Sequence, residues 1–189
     1  MEKRIDIMTD IETLGNKKNV AIIQLSAVAF NIETGNIIEK FNEYVDISCA
    51  DGLIIDGSTL KWWMNTDANL LKNIINSGIS TTNIVLSQFN KWFESLDAEV
   101  TNKYLWGNGI LFDNRIIQEA MSKYDISYPI YYSNDRDVRT ILELACIKEG
   151  KTKAELLSII PTVGVSHNAL DDCLTQINIV CECYKILMK

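Results

Sequence analysis

The sequence predicts an α/β domain: a mixed central sheet flanked by helices. Three observations predict it. Strand-like segments crowd the first 47 residues, helix and strand alternate through the middle, and the chain closes on a long amphipathic helix. Residues 4–10 read as a short strand that runs into Asp10. Residues 19–30 (NVAIIQLSAVAF) are rich in Val, Ile and Ala, which fits a buried strand. Glu33-Thr34-Gly35-Asn36 is a hairpin-type turn signal, and residues 37–47 make a third strand. The opening is therefore a three-stranded antiparallel meander.

Residues 58–63 and 67–76 predict two short helices. Residues 82–96 predict a longer one, with Val85, Phe89, Trp92, Phe93 and Leu96 on one face and Ser80 or Thr81 as its cap. A short strand at 103–106 is broken by Gly107-Asn108-Gly109. Residues 112–124 then return to helix, turning Phe112, Ile116, Ala120 and Met121 inward. Residues 127–132 predict the last strand, and residues 137–147 and 151–159 predict helices. The final helix spans about 168–188, with a stripe of Leu170, Leu174, Ile177, Val180, Cys181, Tyr184 and Leu187. Strands joined through helices run parallel, so the expected sheet is five-stranded: a meander, then parallel strands. Residues 1–189 contain no repeat, low-complexity stretch or linker, and they read as a single domain.

Composition narrows the class. Hydrophobic residues make up 47% and charged residues 23%, as in ordinary soluble domains. No apolar run approaches the ~20 residues that span a membrane, and the N-terminus lacks a signal-peptide core. The expected location is the cytoplasm, with no membrane partner. Five cysteines without a Cys-x-x-Cys pair, beside one histidine, predict reduced and mostly buried thiols rather than a zinc site. A net charge of −7 argues against broad electrostatic binding of nucleic acid. It is compatible with an enzyme that grips a few nucleotides, because some of that charge would be carboxylates meant for cations.

The candidate chemistry lies in three segments. Asp10 and Glu12 are two apart at a strand's end, so both carboxylates project from one face. That is costly unless a proton or cation lies between them, and hard oxygen ligands suit Mg²⁺ or Mn²⁺. A solvated acidic loop is the plain alternative. Asp113 opens a helix after a glycine-rich break, where an aspartate also serves as a cap. His167 is the chain's only imidazole, so it leaves little choice about which imidazole could do proton chemistry near neutral pH. Asp171 and Asp172 sit in a first helical turn, where carboxylates also complement the helix dipole.

Together these segments resemble the DEDDh (DnaQ-like) 3′→5′ exonucleases of the ribonuclease H-like superfamily. Asp10-Ile11-Glu12-Thr13 matches that family's Asp-x-Glu-Thr, the middle segment supplies Asp113, and His167 followed after four residues by Asp172 matches His-x4-Asp. That spacing selects Asp172 over Asp171. The likeness spans most of the chain. The Trp62-Trp63 pair and Asp135-Arg136-Asp137-Val138-Arg139-Thr140 look like the exonuclease VIII-like branch of stand-alone bacterial and bacteriophage enzymes.

The resemblance implies a ribonuclease H-like fold and a metal-dependent 3′→5′ exonuclease. Asp10, Glu12, Asp113 and Asp172 would hold two Mg²⁺ ions, with Mn²⁺ able to substitute and Asp10 bridging, and His167 would be the general base. The substrate would be single-stranded nucleic acid, DNA or RNA, with a free 3′-hydroxyl, and the product a nucleoside 5′-monophosphate. Thr13, Leu14, Asn108, Phe112, Arg136, Arg139 and one tryptophan, taken as Trp63, are the expected substrate contacts. An endonuclease of the ribonuclease H type is disfavoured by the His-x4-Asp element. A non-catalytic nucleic-acid-binding module is disfavoured by the complete acidic set. A polymerase's proofreading subunit would need a separate partner, and a homodimer stays open.

Overall fold

A computed structural model describes residues 3–17, 19–49 and 52–189. Strand β1 (Ile5–Thr13) forms the middle of a five-stranded sheet. It pairs antiparallel with β2 (Ile22–Phe30), which pairs antiparallel with β3 (Ile37–Tyr44). On its other side β1 pairs parallel with β4 (Lys103–Gly107), and β4 pairs parallel with β5 (Asp135–Asp137). The order is β3-β2-β1-β4-β5. Among the described residues seven α-helices flank it: α1 (Gly57–Thr66), α2 (Ala68–Ser77), α3 (Thr82–Ser95), α4 (Asp113–Lys123), α5 (Val138–Glu149), α6 (Lys153–Leu157) and α7 (Ala169–Met188). The meander, the helix–strand alternation and the long last helix are as the sequence predicts.

Both faces of the sheet are covered, which is why β2 is buried along its whole length. Ile5, Ile7, Ile11, Leu25 and Ala27 face α3 and α4 and meet Phe89, Phe93, Ile116 and Met121. Met8, Val28, Phe30 and Trp106 face α5 and α7 and meet Leu142, Ala145, Ile177 and Val180. A third cluster joins Leu14, Ala21 and Ile23 to Trp63, Leu71 and Ile74 at the end of β1, where α1 and α2 pack. Among the described residues no helix is long and apolar enough to cross a membrane. All five cysteines are free and four of them are buried.

Three local expectations need correction. The last strand is Asp135–Asp137, not residues 127–132. The aromatic and β-branched content of SYPIYY is strand-like, but Pro129 has no N–H to give to a ladder. Ile130 enters the core, and the Tyr128 hydroxyl donates to Asp135 at 3.2 Å. The segment is thus held by side chains. The innermost line of α7 is Ala169, Cys173, Gln176, Val180 and Cys183 as well as Ile177 and Cys181. Leu170, Leu174, Tyr184 and Leu187 flank it, half-buried. Small residues let the helix lie close on the sheet, with Cys173 Sγ 3.6 Å from the Met8 carbonyl and 3.7 Å from that of Ser26. Thr81 does precede α3, but its side chain makes no cap hydrogen bond.

Candidate active site

Strand β1 aims Asp10 and Glu12 to the α7 side, since residues two apart share a face. Opposite them on β2 are Ser26 and Gln24, and a bulge after Glu12 turns the strand away from its ladder. Asp113 is the first residue of α4, and Phe112 holds the cap position without a side-chain bond. Its ordinary role as a cap is therefore absent. Instead the Asp113 carboxylate is buried close to the backbone N–H groups of Ile11 and Asn108. Asp172 lies in the first turn of α7, and one turn later Gln176 donates through Nε2 to Asp10 Oδ1 at 2.8 Å. Gln24 fixes that helix start, its Oε1 accepting from the Ala169 N–H at 3.2 Å.

His167 stands in the loop ahead of α7. Ligand atoms of Glu12, His167 and Asp172 all lie within 4.8 Å of one another. The loop is tied to the helix by two adjacent carboxylates. Asp171 Oδ2 accepts from the Val165 N–H at 2.8 Å, and Asp172 Oδ2 accepts from the His167 N–H at 3.0 Å. A Cβ on Gly164 (φ +60°) would run into the Asp171 carboxylate, so only glycine fits that turn.

The two neighbours thus have separate jobs. Asp172→Asn is expected to leave almost no cleavage, because it removes one negative charge from the carboxylate cluster. Asp171→Asn is expected to keep most activity, because an amide oxygen still accepts from Val165, and to lose only about 0.5 kcal/mol at the helix start. Parallel rate assays and thermal melts check this. An inactive Asp171→Asn with an active Asp172→Asn would reverse the assignment.

The electrostatics are those of crowded acids. Burial pushes the Asp10 carboxyl well up, and the charges of Asp113, Glu12 and Asp172 add to it, against the Gln176 hydrogen bond. Glu12 is pushed up to about 9 by burial, then by Asp172 and Asp113. Asp113 is pushed up to about 7 by burial, against the pull of nearby backbone N–H groups and Arg139. Burial also raises Asp172, while the His167 N–H and ring pull it down. Groups in this condition favour a proton or a cation between them. Four hard oxygen donors with mutual repulsion are a fitting set for divalent cations. Buried Gln176 Oε1, which has no hydrogen-bond partner, adds a further oxygen beside Asp10.

This predicts how the metal-free protein responds to pH. Above the unfolded carboxyl range the unfolded chain gives up its protons while the folded site retains them. Stability is therefore fully present at low pH and is lost as pH rises through about 7 for Asp113 and about 9 for Glu12. The Tm of EDTA-treated protein is expected to fall from about pH 5 to about pH 9. Glu12→Gln is expected to flatten the fall and gain about 2 kcal/mol near pH 8, or about 4–8 °C. A metal-free Tm that rises over this range would contradict the electrostatics.

The substrate contacts expected from sequence divide. Asn108 and Arg139 lie together at the rim, with Arg139 Nε donating to Asn108 Oδ1 at 3.4 Å and Arg139 bearing on Asp113. Gly109 (φ +111°) lets that guanidinium approach its backbone. Phe112 is half-buried beside Asp113, packed against the core. The other four need correction. Leu14 is 1% exposed, and its backbone N–H and carbonyl are bonded to Ala21 and Asp56. The Thr13 hydroxyl donates to the Gly15 carbonyl at 2.6 Å. Trp63 is 1% exposed and its Nε1 donates to the Thr13 carbonyl at 3.0 Å, so it is core and Trp62, at 45%, is the exposed partner. Arg136 turns away to the carbonyls of Ser133 and Asp135 and to the Tyr104 ring, 4.7 Å from its centroid. The segment right after the metal pair is tied up in turning the chain.

Sequence reasoning missed Gln176 and the latch role of Asp171, and left open which of Trp62 and Trp63 is exposed. A polar residue inside the apolar stripe of a long helix, four after Asp172, was the available signal for Gln176.

Comparison with known proteins agrees with this geometry. The model of the Rv2179c-like 3′-5′ exoribonuclease domain matches residues 5–184. The exodeoxyribonuclease of Enterobacteria phage T4 is 24% identical over 196 residues, which cover 91% of this chain and 86% of that protein. Among solved structures, cell-death related nuclease 4 (CRN-4) superposes with a TM-score of 0.74 at 21% identity, over 96% of this chain and 64% of that one. The nuclease domain of 3′hExo, a DEDDh family member bound to rAMP, gives 0.67 at 14% identity, over 96% and 92%. E. coli exonuclease I in complex with a dT13 oligonucleotide gives 0.65 at 14%, over 99% of this chain but only 41% of that one. The fold is therefore that of ribonuclease H-like exonucleases. The chain belongs to the Rv2179c-like 3′-5′ exoribonuclease domain family and is a metal-dependent 3′-5′ exonuclease.

Proposed function

We propose that the protein trims single-stranded nucleic acid from a free 3′-hydroxyl and releases nucleoside 5′-monophosphates. The observation that carries this reading is the convergence of four carboxylates and the lone imidazole at one end of β1. Asp10, Glu12, Asp113 and Asp172 would hold Mg²⁺, with Mn²⁺ as a substitute. Two such ions, when bound, supply Lewis-acid stabilisation of the phosphate charge and a lowered pKa for the attacking water. His167 accepts that water's proton, because its ring faces Glu12 and Asp172 and no other imidazole exists in the chain. Asn108 and Arg139 form a polar rim suited to a backbone phosphate. Phe112 and Trp62 border the same end of the sheet as apolar surfaces for bases.

The names of its relatives point to both sugars, a ribonuclease family and a deoxyribonuclease from phage T4. The discriminating contact would be to the 2′-hydroxyl. A time course on matched 5′-labelled DNA and RNA strands is expected to show a ladder shortening from the 3′ end, with 5′-mononucleotides as product. It should stop in EDTA and be blocked or slowed by a 3′-phosphate. Undiminished activity in excess EDTA, or internal cuts in a circular single strand, would overturn the reading.

A further inference from the structure

We infer that Trp62 is a positioning residue for His167, and that an aromatic wall does here what a hydrogen bond to the second ring nitrogen commonly does for a general base. The inference rests on His167 serving as that base. The backbone at His167 has φ +67°, a left-handed conformation that a residue with a side chain adopts only when its surroundings impose it. The main chain is imposed on by the bond from its N–H to Asp172. The ring has different support. Among the described residues no hydrogen bond holds the imidazole. It meets the Trp62 ring edge-on, with centroids 5.0 Å apart at 86°, and the Trp63 ring at 6.2 Å and 77°.

The two indoles are not equivalent. Trp63 is locked, its Nε1 bonded to the Thr13 carbonyl and its ring buried among Leu14, Ile23 and Ile74. It forms the fixed back of the pocket. Trp62 is 45% exposed and stands edge-on to Trp63 at 5.2 Å, so it closes the solvent side of the imidazole. The helix carrying both is itself anchored to the metal-site strand. The Asp56 N–H donates to the Leu14 carbonyl at 2.7 Å, and Asp56 caps the helix through the N–H groups of Ser58 and Thr59. Glu12 and the wall of the imidazole are therefore parts of one rigid unit. Edge-to-face geometry restricts where a ring can swing while leaving both its nitrogens free, as a proton acceptor needs.

The test is a double-mutant cycle read in rates. Trp62→Ala is expected to lower kcat by about 3- to 10-fold, the scale of one edge-to-face contact, separately from any rise in KM through a lost base contact. Trp62→Phe, which keeps a ring at that wall, is expected to restore most of kcat. In a His167→Ala background, Trp62→Ala is expected to cost less than about 2-fold, because the group it positions is gone. A loss that persists undiminished in that background, or one confined to KM, would overturn the proposal and make Trp62 a contact of the substrate alone. The lone histidine also gives one set of imidazole NMR signals, readable without turnover. These are expected to move toward the free-imidazole position in Trp62→Ala as the indole ring current is lost, and unmoved signals would overturn the proposal as well. This measurement stands even if the chain cleaves no 3′ end, an outcome that would remove the exonuclease reading instead.

Discussion

Asp10→Ala is expected to reduce 3′-end cleavage by about 10³-fold or more in saturating Mg²⁺. Asp10 is buried among the other three acids. It feels the charge of Asp113, Glu12 and Asp172, and Gln176 from α7 fixes one of its oxygens. Removing it takes away one carboxylate of the set and leaves Gln176 Nε2 without its acceptor. Metal-ion stabilisation of a transferring phosphate is worth several kcal/mol, and about 4 kcal/mol is a factor of about 10³. Single-turnover rates on a 5′-labelled oligonucleotide measure the loss. Calorimetric titration with Mn²⁺ shows whether affinity falls with it. Removing the acid also removes a buried, mutually repelling group, so the metal-free variant is expected to melt no lower than wild type, apart from the cavity left by the shorter side chain. A variant that melts normally and still cleaves at the wild-type rate would dismiss Asp10 from the site.

His167→Ala is expected to cost about 10²–10⁴-fold in kcat, the usual range for a general base, while metal binding survives. No second histidine can substitute, which keeps the comparison direct. Wild-type single-turnover rates on a 5′-labelled oligonucleotide would make the ring structural.

The sequence made the sheet legible because its strands announce themselves by different means. Residues 22–30 are apolar but for Gln24 and Ser26, as suits a strand covered on both faces. The strand at 135–137 was unreadable because DRD has no apolar pattern. It exists through its parallel pairing to β4 and through Asn134, whose side chain donates to the carbonyls of Thr101 and Lys103. The acidic set was picked out by its resemblance to the DEDDh pattern: two apart on a strand, first on a helix, five after the histidine. The substrate contacts were not. Thr13, Leu14 and Trp63 follow the metal pair or neighbour the exposed tryptophan, yet a bulge after Glu12 and one indole hydrogen bond turn them inward. Which of two adjacent tryptophans is buried depends on where α1 docks, and a ten-residue helix with apolar residues on several sides does not declare that.

The interval between His167 and Asp172 has a mechanical meaning. The Asp172 carboxylate reaches back to the N–H of His167, closing a ring of chain whose circumference is set by the residues between them. The neighbouring ring from Asp171 to Val165 is threaded through the same turn. A residue inserted between 167 and 171 would open both rings at once, and the imidazole would lose its place even though every reactive group was still present. The four-residue gap in the motif is thus a gauge length cut into the loop, and a one-residue insertion there should be as damaging as losing the histidine.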